Sequence, residues 1–432
     1  MSVELTARRR RAAAVALMIV SLLHAVIAHA QSDNKPRPKP ARAGTSASAK
    51  PPASPPPLRD GDAEERLLAV YKLIGVGQNR EALRQAEALA RDYPNFQLAQ
   101  LVVGDLLSAR LRPIRRMGDA PEADTLRSMQ AAATLDELRN ESRQRVDAQR
   151  IRPPANTIPA QFLELSPRSR HAIAFDASRS RLYLFENAPT GLRLVADYYA
   201  SVGRLGIDKS LEGDQRTPLG VYFITSRLDP TSLKDFYGAG ALPINYPNPL
   251  DISRGKTGSG IWLHGTPPEQ FARAPLATDG CLVLANPDLE RLLRTVEPRT
   301  TPVVIARQLN WVAPHSVQTD RNAFDAVLGA WSKAKTDGDM KRLLSFYAPD
   351  FQSHRKKPLD DWANVLQAEA RALRGRDLHL KDKSYLRWTD SADTMVVTFG
   401  EVAAGARTGP VKRQYWIRRD QNWQIFFEGV IG

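Results

Sequence analysis

The hydrophobic pattern changes twice along the chain, and each change marks a segment that must fold in a different way. Between residues 61 and 150, apolar side chains such as Leu67 and Val70 recur at helical spacing. From 168 to 308 they gather in short runs separated by polar turns, which predicts strands. From 320 to 432 helical spacing comes first and strand alternation follows, which is typical of an α+β domain. We therefore expect a multidomain protein with a helical module, a mainly β domain and an α+β domain.

The first 60 residues carry an export signal and a linker. Arg8–Arg11 precede an apolar run, and the small residues Ala28 and Ala30 follow it with A-x-A spacing. This order predicts a signal peptide over residues 1–30. The alternative is an uncleaved anchor helix, for which the run is short. Residues 31–60 are rich in Pro, Ala, Ser and Lys and predict a disordered linker. We expect an exported protein of the periplasm or cell envelope.

The net charge of +14 is concentrated at the N-terminus. Residues 1–60 contain ten Lys or Arg and three acidic residues, which gives +7, half of the total. The rest of the chain is mildly basic and contains no motif of a nucleic-acid-binding domain, so we expect no nucleic-acid partner. A mildly basic body suits an anionic polymer such as the cell wall, and it equally serves solubility alone.

The helical module over residues 61–150 has the pattern of a helix–turn–helix followed by a third helix after Pro94. This arrangement resembles a tetratricopeptide unit with a partial second unit. Two units are too few for a free solenoid. We therefore expect the module to dock on the rest of the chain, or to form a homodimer or bind a protein partner. A plain helical cap is the alternative interpretation.

The chain has one cysteine, Cys281, which follows Thr278-Asp279-Gly280. It lies seventeen residues after His264, which ends an apolar run. A free thiol is mostly protonated at neutral pH, and a nearby imidazole can take its proton and activate it as a nucleophile. Gly280 allows close approach of the backbone, and the amides of Gly280 and Cys281 can face a developing oxyanion. Taken singly, such a cysteine is more often a buried inert thiol and such a histidine a core residue; the combination of the two with the glycines and the export signal favours catalysis.

No cofactor or metal site is expected from the sequence. The other histidines do not have metal-ligand spacing, and one cysteine makes a structural zinc site improbable. A glycine-rich phosphate loop is also missing from the sequence.

The segment SGIWLHGTPPEQFARAPLATDGCLVLANPDLERL resembles the signature of the YkuD-type L,D-transpeptidase family, in which His-Gly and a spacer precede Ser/Thr-x-Gly-Cys. The same family's G-D-x-x-T-P-x-G-x-Y/F stretch is matched upstream by Gly213, Asp214, Thr217, Pro218, Gly220 and Tyr222. The resemblance runs from His171 to Ala306. It implies a cysteine-dependent acyltransferase or peptidase that acts on peptidoglycan stem peptides without a cofactor.

The resemblance also implies a role for each matching position. Cys281 is the expected nucleophile, and His264 is the expected general base and acid. The backbone carbonyl of Gly265 is expected to orient the imidazole. Thr278 occupies the Ser/Thr position of the signature, and Gly280 precedes the nucleophile. We therefore expect these residues to form the active site.

Two positions depart from the family pattern. Asp279 stands where many members have His, and it is expected either to bind an amine of the stem peptide or to cap the loop of Asn286. Val283 stands where many members have Arg. Without that cation, the substrate must be held by other groups.

The C-terminal domain, residues 320–432, resembles the nuclear-transport-factor-2-like cone fold, which implies a small ligand or peptide in the cone. The whole layout is similar to the cell-shape L,D-carboxypeptidases of helical bacteria. The family as a whole implies an L,D-transpeptidase that forms 3-3 cross-links. The alternatives are an L,D-carboxypeptidase that trims tetrapeptide stems to tripeptides, and a non-catalytic scaffold that binds the wall.

Overall fold

The computed structural model describes residues 59–119, 126–373 and 375–431. The predicted signal peptide and almost all of the predicted linker lie outside the described residues. Within the described ranges, no helix has the length and apolar character needed to cross a membrane.

The N-terminal part of the described chain is helical, as the sequence predicts. It contains α1 (Asp62–Gly75), α2 (Asn79–Asp92), α3 (Gln97–Ser108) and α4 (Leu126–Arg150). Their buried faces pack together through residues at helical spacing, such as Leu67, Leu83, Leu89 and Val102. Tyr93-Pro94 ends α2, because proline cannot continue a helix and disfavours helical geometry in the residue before it.

The central part of the chain is rich in short strands. It comprises β1 (Ile158–Pro159), β2 (Phe162–Glu164), β3 (His171–Asp176), β4 (Arg181–Ala188), β5 (Gly191–Tyr199), β6 (Val202–Gly203), β7 (Gly220–Phe223), β8 (Ala241–Pro243), α5 (Pro249–Ser253), β9 (Trp262–His264), β10 (Leu276–Thr278), β11 (Leu282–Val283), α6 (Asn286–Thr295), β12 (Pro302–Ala306) and β13 (Trp311–Val312).

Two sheets of this region share one core. The larger sheet has the order β5-β4-β3-β12-β7, and the smaller one has the order β11-β9-β8. Ile173 and Phe175 of the first sheet and Leu263 and Leu282 of the second belong to the same buried cluster. Packing of these apolar faces fixes the smaller sheet in place.

The C-terminal part is an α+β domain, as the sequence predicts. It comprises α7 (Gln318–Asp337), α8 (Met340–Ser345), β14 (Tyr347–Ser353), α9 (Leu359–Leu373), β15 (Leu378–Trp388), β16 (Thr394–Ala403), β17 (Val411–Arg419) and β18 (Asn422–Val430). Its sheet has the order β14-β18-β17-β16-β15-β2. Trp331 of α7 and Leu366 of α9 pack against the sheet residues Phe399 and Trp416.

One strand of that sheet comes from a distant part of the chain. β2 belongs to the central part of the chain, yet it pairs with β15 through Phe162↔Leu386 and Glu164↔Tyr385. Arg321 of α7 also donates to Glu164 at 2.7 Å. The chain between residues 150 and 168, to which the sequence assigned no domain, therefore joins the central and C-terminal parts.

The helical module docks on the central part through buried charges. The Glu64 carboxylate of α1 accepts from Arg145 of α4 at 2.8 Å and from Arg181 of β4 at 2.7 Å. The two guanidinium groups hold the pKa of Glu64 below its usual value although burial opposes this. Because a broken buried pair leaves an uncompensated charge, this contact ties α1 to β4.

Candidate active site

His264 and Cys281 are brought together by a pair of parallel strands. β9 pairs with β11 in the register Leu263↔Leu282 and His264↔Val283. Cys281 immediately precedes β11, so it lies next to the strand β9, which ends at His264. Adjacent strands are separated by about 4.8 Å. The seventeen-residue spacing in sequence thus becomes a short distance in the fold.

Side-chain alternation places both residues on the same face of this sheet. Leu263, Leu282 and Leu284 point into the buried core. Successive side chains of a strand point to opposite faces, so His264 and Cys281 point away from that core. The thiol is partly exposed, whereas the imidazole is only 1% exposed.

The orientation and charge of His264 follow from its surroundings. Its Nδ1 lies 2.8 Å from the carbonyl oxygen of Gly265. Burial lowers the pKa of His264 to about 4, the contact with Gly265 opposes this, and the nearby charge of Arg273 adds to it. The imidazole is therefore neutral at pH 7. With its proton on Nδ1 facing the carbonyl, Nε2 is left as an acceptor.

Gly265 itself has no room for a side chain. A Cβ at this position would lie 2.0 Å from Oδ1 of Asn286. That oxygen accepts from the amide of Ala239 at 2.9 Å, and the Asn286 amide group donates to Thr266 at 2.8 Å. Asn286 thereby fixes the backbone that carries the Gly265 carbonyl.

The thiol of Cys281 is held in its neutral form. Burial raises its pKa, and this effect outweighs the backbone N–H of Trp262 and the charge of Arg273, both of which lower it. The thiol donates to the carbonyl of Gly260 at 3.5 Å. The resting arrangement is accordingly a neutral thiol that is bonded to Gly260, and a neutral imidazole on the same face of the sheet.

The turn before Cys281 is held by two threonines. The Thr217 hydroxyl donates to the carbonyl of Gly280 at 2.9 Å and accepts from the amide of Gly203 at 2.9 Å. Thr278 accepts from the amide of Gly280 at 3.1 Å and donates to the carbonyl of Cys281 at 2.8 Å. The Gly280 amide, expected from the sequence to face an oxyanion, is therefore already engaged by Thr278.

The side chain of Asp279 is paired with an arginine at the edge of the site. Its carboxylate lies 3.3 Å from the guanidinium of Arg204, with both side chains largely exposed. The Asn286 side chain contacts Ala239 and Thr266 instead. Among the described residues, none of the hydrogen bonds of Asn286 involves the Asp279 carboxylate, which was expected to cap this loop. Asp279 remains available to solvent at the site.

Val283, at the position where many family members have Arg, is buried at 1% exposure opposite His264. A cation at the site comes from another segment of the chain. Arg273, in the loop between β9 and β10, places its guanidinium 4.4 Å from the centre of the Phe236 ring. The Phe236 ring in turn lies 5.7 Å from that of His264. An arginine from another segment thus lies at the site.

Three residues of the site were missed by sequence reasoning: Arg273, Phe236 and Tyr237. The Tyr237 ring lies 5.1 Å from that of His264 and 4.9 Å from that of Trp262. Phe236 and Tyr237 belong to one short 3-10 turn, Asp235–Tyr237. Two adjacent aromatic residues in a polar loop were the available signal, since large exposed aromatics often mark binding surfaces.

The helical module contacts the same loop that carries Arg273. The ring of Phe271 lies 4.3 Å from Phe96 and 5.4 Å from Tyr93. The Phe271 amide donates to the carbonyl of Asn95 at 3.0 Å, and the Asn95 side chain donates to Pro268 at 3.0 Å. The turn between α2 and α3 therefore holds one side of the candidate active site.

Comparison with family models identifies two of the three parts. Residues 170–305 match the L,D-transpeptidase catalytic domain YkuD. Residues 323–429 match the NTF2-like domain found at the C-terminus of Cds6. A comparison with curated proteins found no match.

Two solved structures are similar to much of this chain. Bd1075 of Bdellovibrio bacteriovorus is 25% identical, with a TM-score of 0.54 over 63% of this chain and 98% of that chain. The helical cell shape determining protein Pgp2 from Campylobacter jejuni is 22% identical, with a TM-score of 0.50 over 62% of this chain and 95% of that chain. The second likeness shows a shared fold. Residues 170–305 are an L,D-transpeptidase catalytic domain of the YkuD family, and residues 323–429 are an NTF2-like domain.

Proposed function

We propose that this protein is an L,D-transpeptidase that acts on peptidoglycan stem peptides through a cysteine acyl-enzyme in the cell envelope. The observation that supports this most is the placement of Cys281 and His264 on one face of adjacent strands within a segment that matches the catalytic domain of the family. Cys281 is the proposed nucleophile, and His264 is the proposed general base and acid.

The protonation states define the first step. Because the thiol is protonated and His264 is neutral, the proton passes from Sγ to Nε2 as the sulfur attacks. The sulfur forms a bond to the carbonyl carbon between the L-centre of diaminopimelate and the terminal D-Ala. The carbonyl oxygen becomes an oxyanion, for which the amide of Cys281 is the proposed donor. The Gly280 amide joins it only if its bond to Thr278 opens.

The tetrahedral intermediate then collapses to a thioester. The carbon–nitrogen bond breaks, and the imidazolium of His264 gives its proton to the departing nitrogen, so that D-Ala leaves as a neutral amine. An amine of a second stem peptide next attacks the thioester and loses its proton to His264. The peptide bond of a 3-3 cross-link forms, and His264 returns the proton to the sulfur. This is the transpeptidation outcome.

Hydrolysis is the second candidate outcome. If water replaces the amine, the same steps release a tripeptide, and the protein is an L,D-carboxypeptidase. The match of residues 323–429 to the NTF2-like domain of Cds6 and the valine at position 283 favour this candidate, because both accompany the carboxypeptidase-like layout noted in the sequence.

Product analysis separates the outcomes. Purified protein is incubated with a disaccharide tetrapeptide, and the products are resolved by mass spectrometry. A cross-linked dimer supports transpeptidation, and tripeptide alone supports hydrolysis. Release of D-Ala that persists in Cys281→Ala would reject the cysteine mechanism. Retained binding to peptidoglycan without any turnover would support the third interpretation, a wall-binding scaffold.

A further inference from the structure

The side chain of Arg273 lies at the candidate active site, and the only carboxylate there that acts on it among the described residues, that of Asp279, is paired with Arg204 instead. Within residues 59–119, 126–373 and 375–431, the Nε of Arg273 is buried and has no hydrogen-bond partner. Its guanidinium lies 4.4 Å from the centre of the Phe236 ring. Stacking on an aromatic face leaves the edge of the guanidinium, with its N–H groups, available to an anion.

The backbone of Arg273 is held by hydrogen bonds, so the position of this residue is well defined. Its carbonyl oxygen accepts from the hydroxyl of Tyr199 at 2.8 Å and from the hydroxyl of Ser201 at 2.9 Å. Two residues earlier, Phe271 is packed between Tyr93 and Phe96. A half-buried cation loses part of its hydration free energy, and an anionic ligand can restore it.

We propose that Arg273 is a specificity residue that binds the carboxylate of the D-amino acid released from the stem peptide. This inference rests on the proposed function, since it needs a substrate whose leaving group ends in a carboxylate. A guanidinium and a carboxylate form two parallel hydrogen bonds, which fixes the direction of the leaving residue as well as its charge.

The position of Arg273 suits that carboxylate. In a peptide that ends one residue after the scissile bond, the terminal carboxylate lies about 4 Å from the carbonyl carbon that the sulfur attacks. A cation that binds the terminal carboxylate must therefore lie close to the nucleophile. The charge of Arg273 is felt by both Cys281 and His264, which agrees with such a location.

The proposal is tested by removing each charge separately. The substrates are a stem tetrapeptide ending in free D-Ala, the same peptide ending in D-alaninamide, and a tetrapeptide whose diaminopimelate side-chain carboxylate is amidated. The proteins are wild type, Arg273→Gln, Arg273→Lys and Arg294→Gln. Arg294 is an exposed arginine of α6 that is bonded to Glu290, so its removal is the matched control for loss of one charge.

Wild type and Arg294→Gln should prefer the free acid over the D-alaninamide peptide by roughly tenfold to a hundredfold in kcat/KM, which is the usual value of a hydrogen bond to a charged group. Arg273→Gln should lose that preference, so that within this variant kcat/KM on the free acid falls to its value on the D-alaninamide peptide. Arg273→Lys should keep part of the preference. A structural role for Arg273 would lower kcat/KM on both peptides equally and leave the preference intact.

Three outcomes overturn the proposal. The first is an unchanged preference in Arg273→Gln. The second is that Arg273→Gln keeps its preference for the free acid over the D-alaninamide peptide and instead stops discriminating against the peptide amidated on diaminopimelate. The third is a wild type with equal kcat/KM on free acid and amide. If wild type releases nothing from any of the peptides, the proposed function itself fails, and this result is distinct from the other three.

Discussion

The ring of Phe271, in the loop between His264 and Cys281, lies 4.3 Å from the ring of Phe96 in the helical module. The two residues are far apart in sequence, and both are buried. The helical module is therefore part of the support of the candidate active site as well as an attached domain.

Shortening Phe96 to alanine should lower both stability and activity. Loss of a buried phenylalanine typically costs about 3–5 kcal/mol of unfolding free energy. Because Phe271 then loses its partner, the loop that carries Arg273 should move, and kcat/KM for release of D-Ala should fall at least about tenfold. Urea unfolding and a D-Ala release assay measure the two effects.

Leu89→Ala is the matched control for this variant. Leu89 is buried in the same helical cluster, on α2. Its truncation should cost about 2–5 kcal/mol and leave kcat/KM of the folded protein near the wild-type value. Equal kcat/KM losses in the two variants would show that the contact between the loop and the module has no special effect on catalysis.

Thr217→Val should disturb the turn before the nucleophile. The fully buried Thr217 hydroxyl bonds to both Gly280 and Gly203, so its removal leaves two buried backbone groups without a partner. We expect a loss of about 1–3 kcal/mol in stability and a fall of roughly tenfold in the rate of thiol acylation. Thr217→Ser keeps the hydroxyl and should retain most of both. If Val and Ser behave alike, the hydrogen bonds do not position Cys281.

The pKa of His264 makes stability depend on pH. Its folded pKa of about 4 lies below the usual 6.5, so the unfolded chain binds the proton more tightly. The stabilisation is fully present above pH 6.5 and is lost as the pH falls from 6.5 to 4, by about 3 kcal/mol. Unfolding free energies of wild type and His264→Gln, measured at pH 7 and pH 4, should show a smaller loss in the variant. Equal losses would contradict a buried neutral imidazole.

Gly280→Ala should reduce activity more than an ordinary glycine substitution does. Gly280 has φ +126°, and a Cβ there would lie 2.7 Å from the carbonyl of Arg216. Gly255 also has a positive φ, +70°, but its Cβ would meet nothing within 4 Å. Gly255→Ala should cost about 1–2 kcal/mol of stability and keep full activity. Gly280→Ala should slow acylation of Cys281 about a hundredfold, because the turn must shift. Full activity in Gly280→Ala would show that the turn tolerates the shift.

The sequence predicts the classes of the three parts because their periodicity is local. The spacing of Leu67 and Val70 marks a helix, and the run ending at His264 marks a strand, whatever lies elsewhere in the chain. The His-Gly and Thr-Asp-Gly-Cys segments also predict the family of the central domain, which the match of residues 170–305 confirms. The Nδ1 contact with Gly265, which the resemblance implies, is present in the structure.

Features that depend on distant partners could not be predicted. β2 joins the C-terminal sheet only because Phe162 meets Leu386, more than 200 residues away, and its three residues have no pattern of their own. Arg273 is one of many arginines in the sequence, and its contact with Phe236 and the contact of the same loop with the helical module through Phe271 both involve distant segments. Asn286 likewise could not be recognised from the sequence, because its contacts are with Ala239 and Thr266 in two other loops.

Intact-protein mass spectrometry after mixing with a stem tetrapeptide tests the central claim most directly. We predict a covalent adduct equal to the tetrapeptide less D-Ala, located on Cys281 by peptide mapping, trapped at low pH and missing in Cys281→Ala. His264→Gln should form it far more slowly. Release of D-Ala by wild type with no adduct on Cys281, or an adduct that persists in Cys281→Ala, would contradict the account.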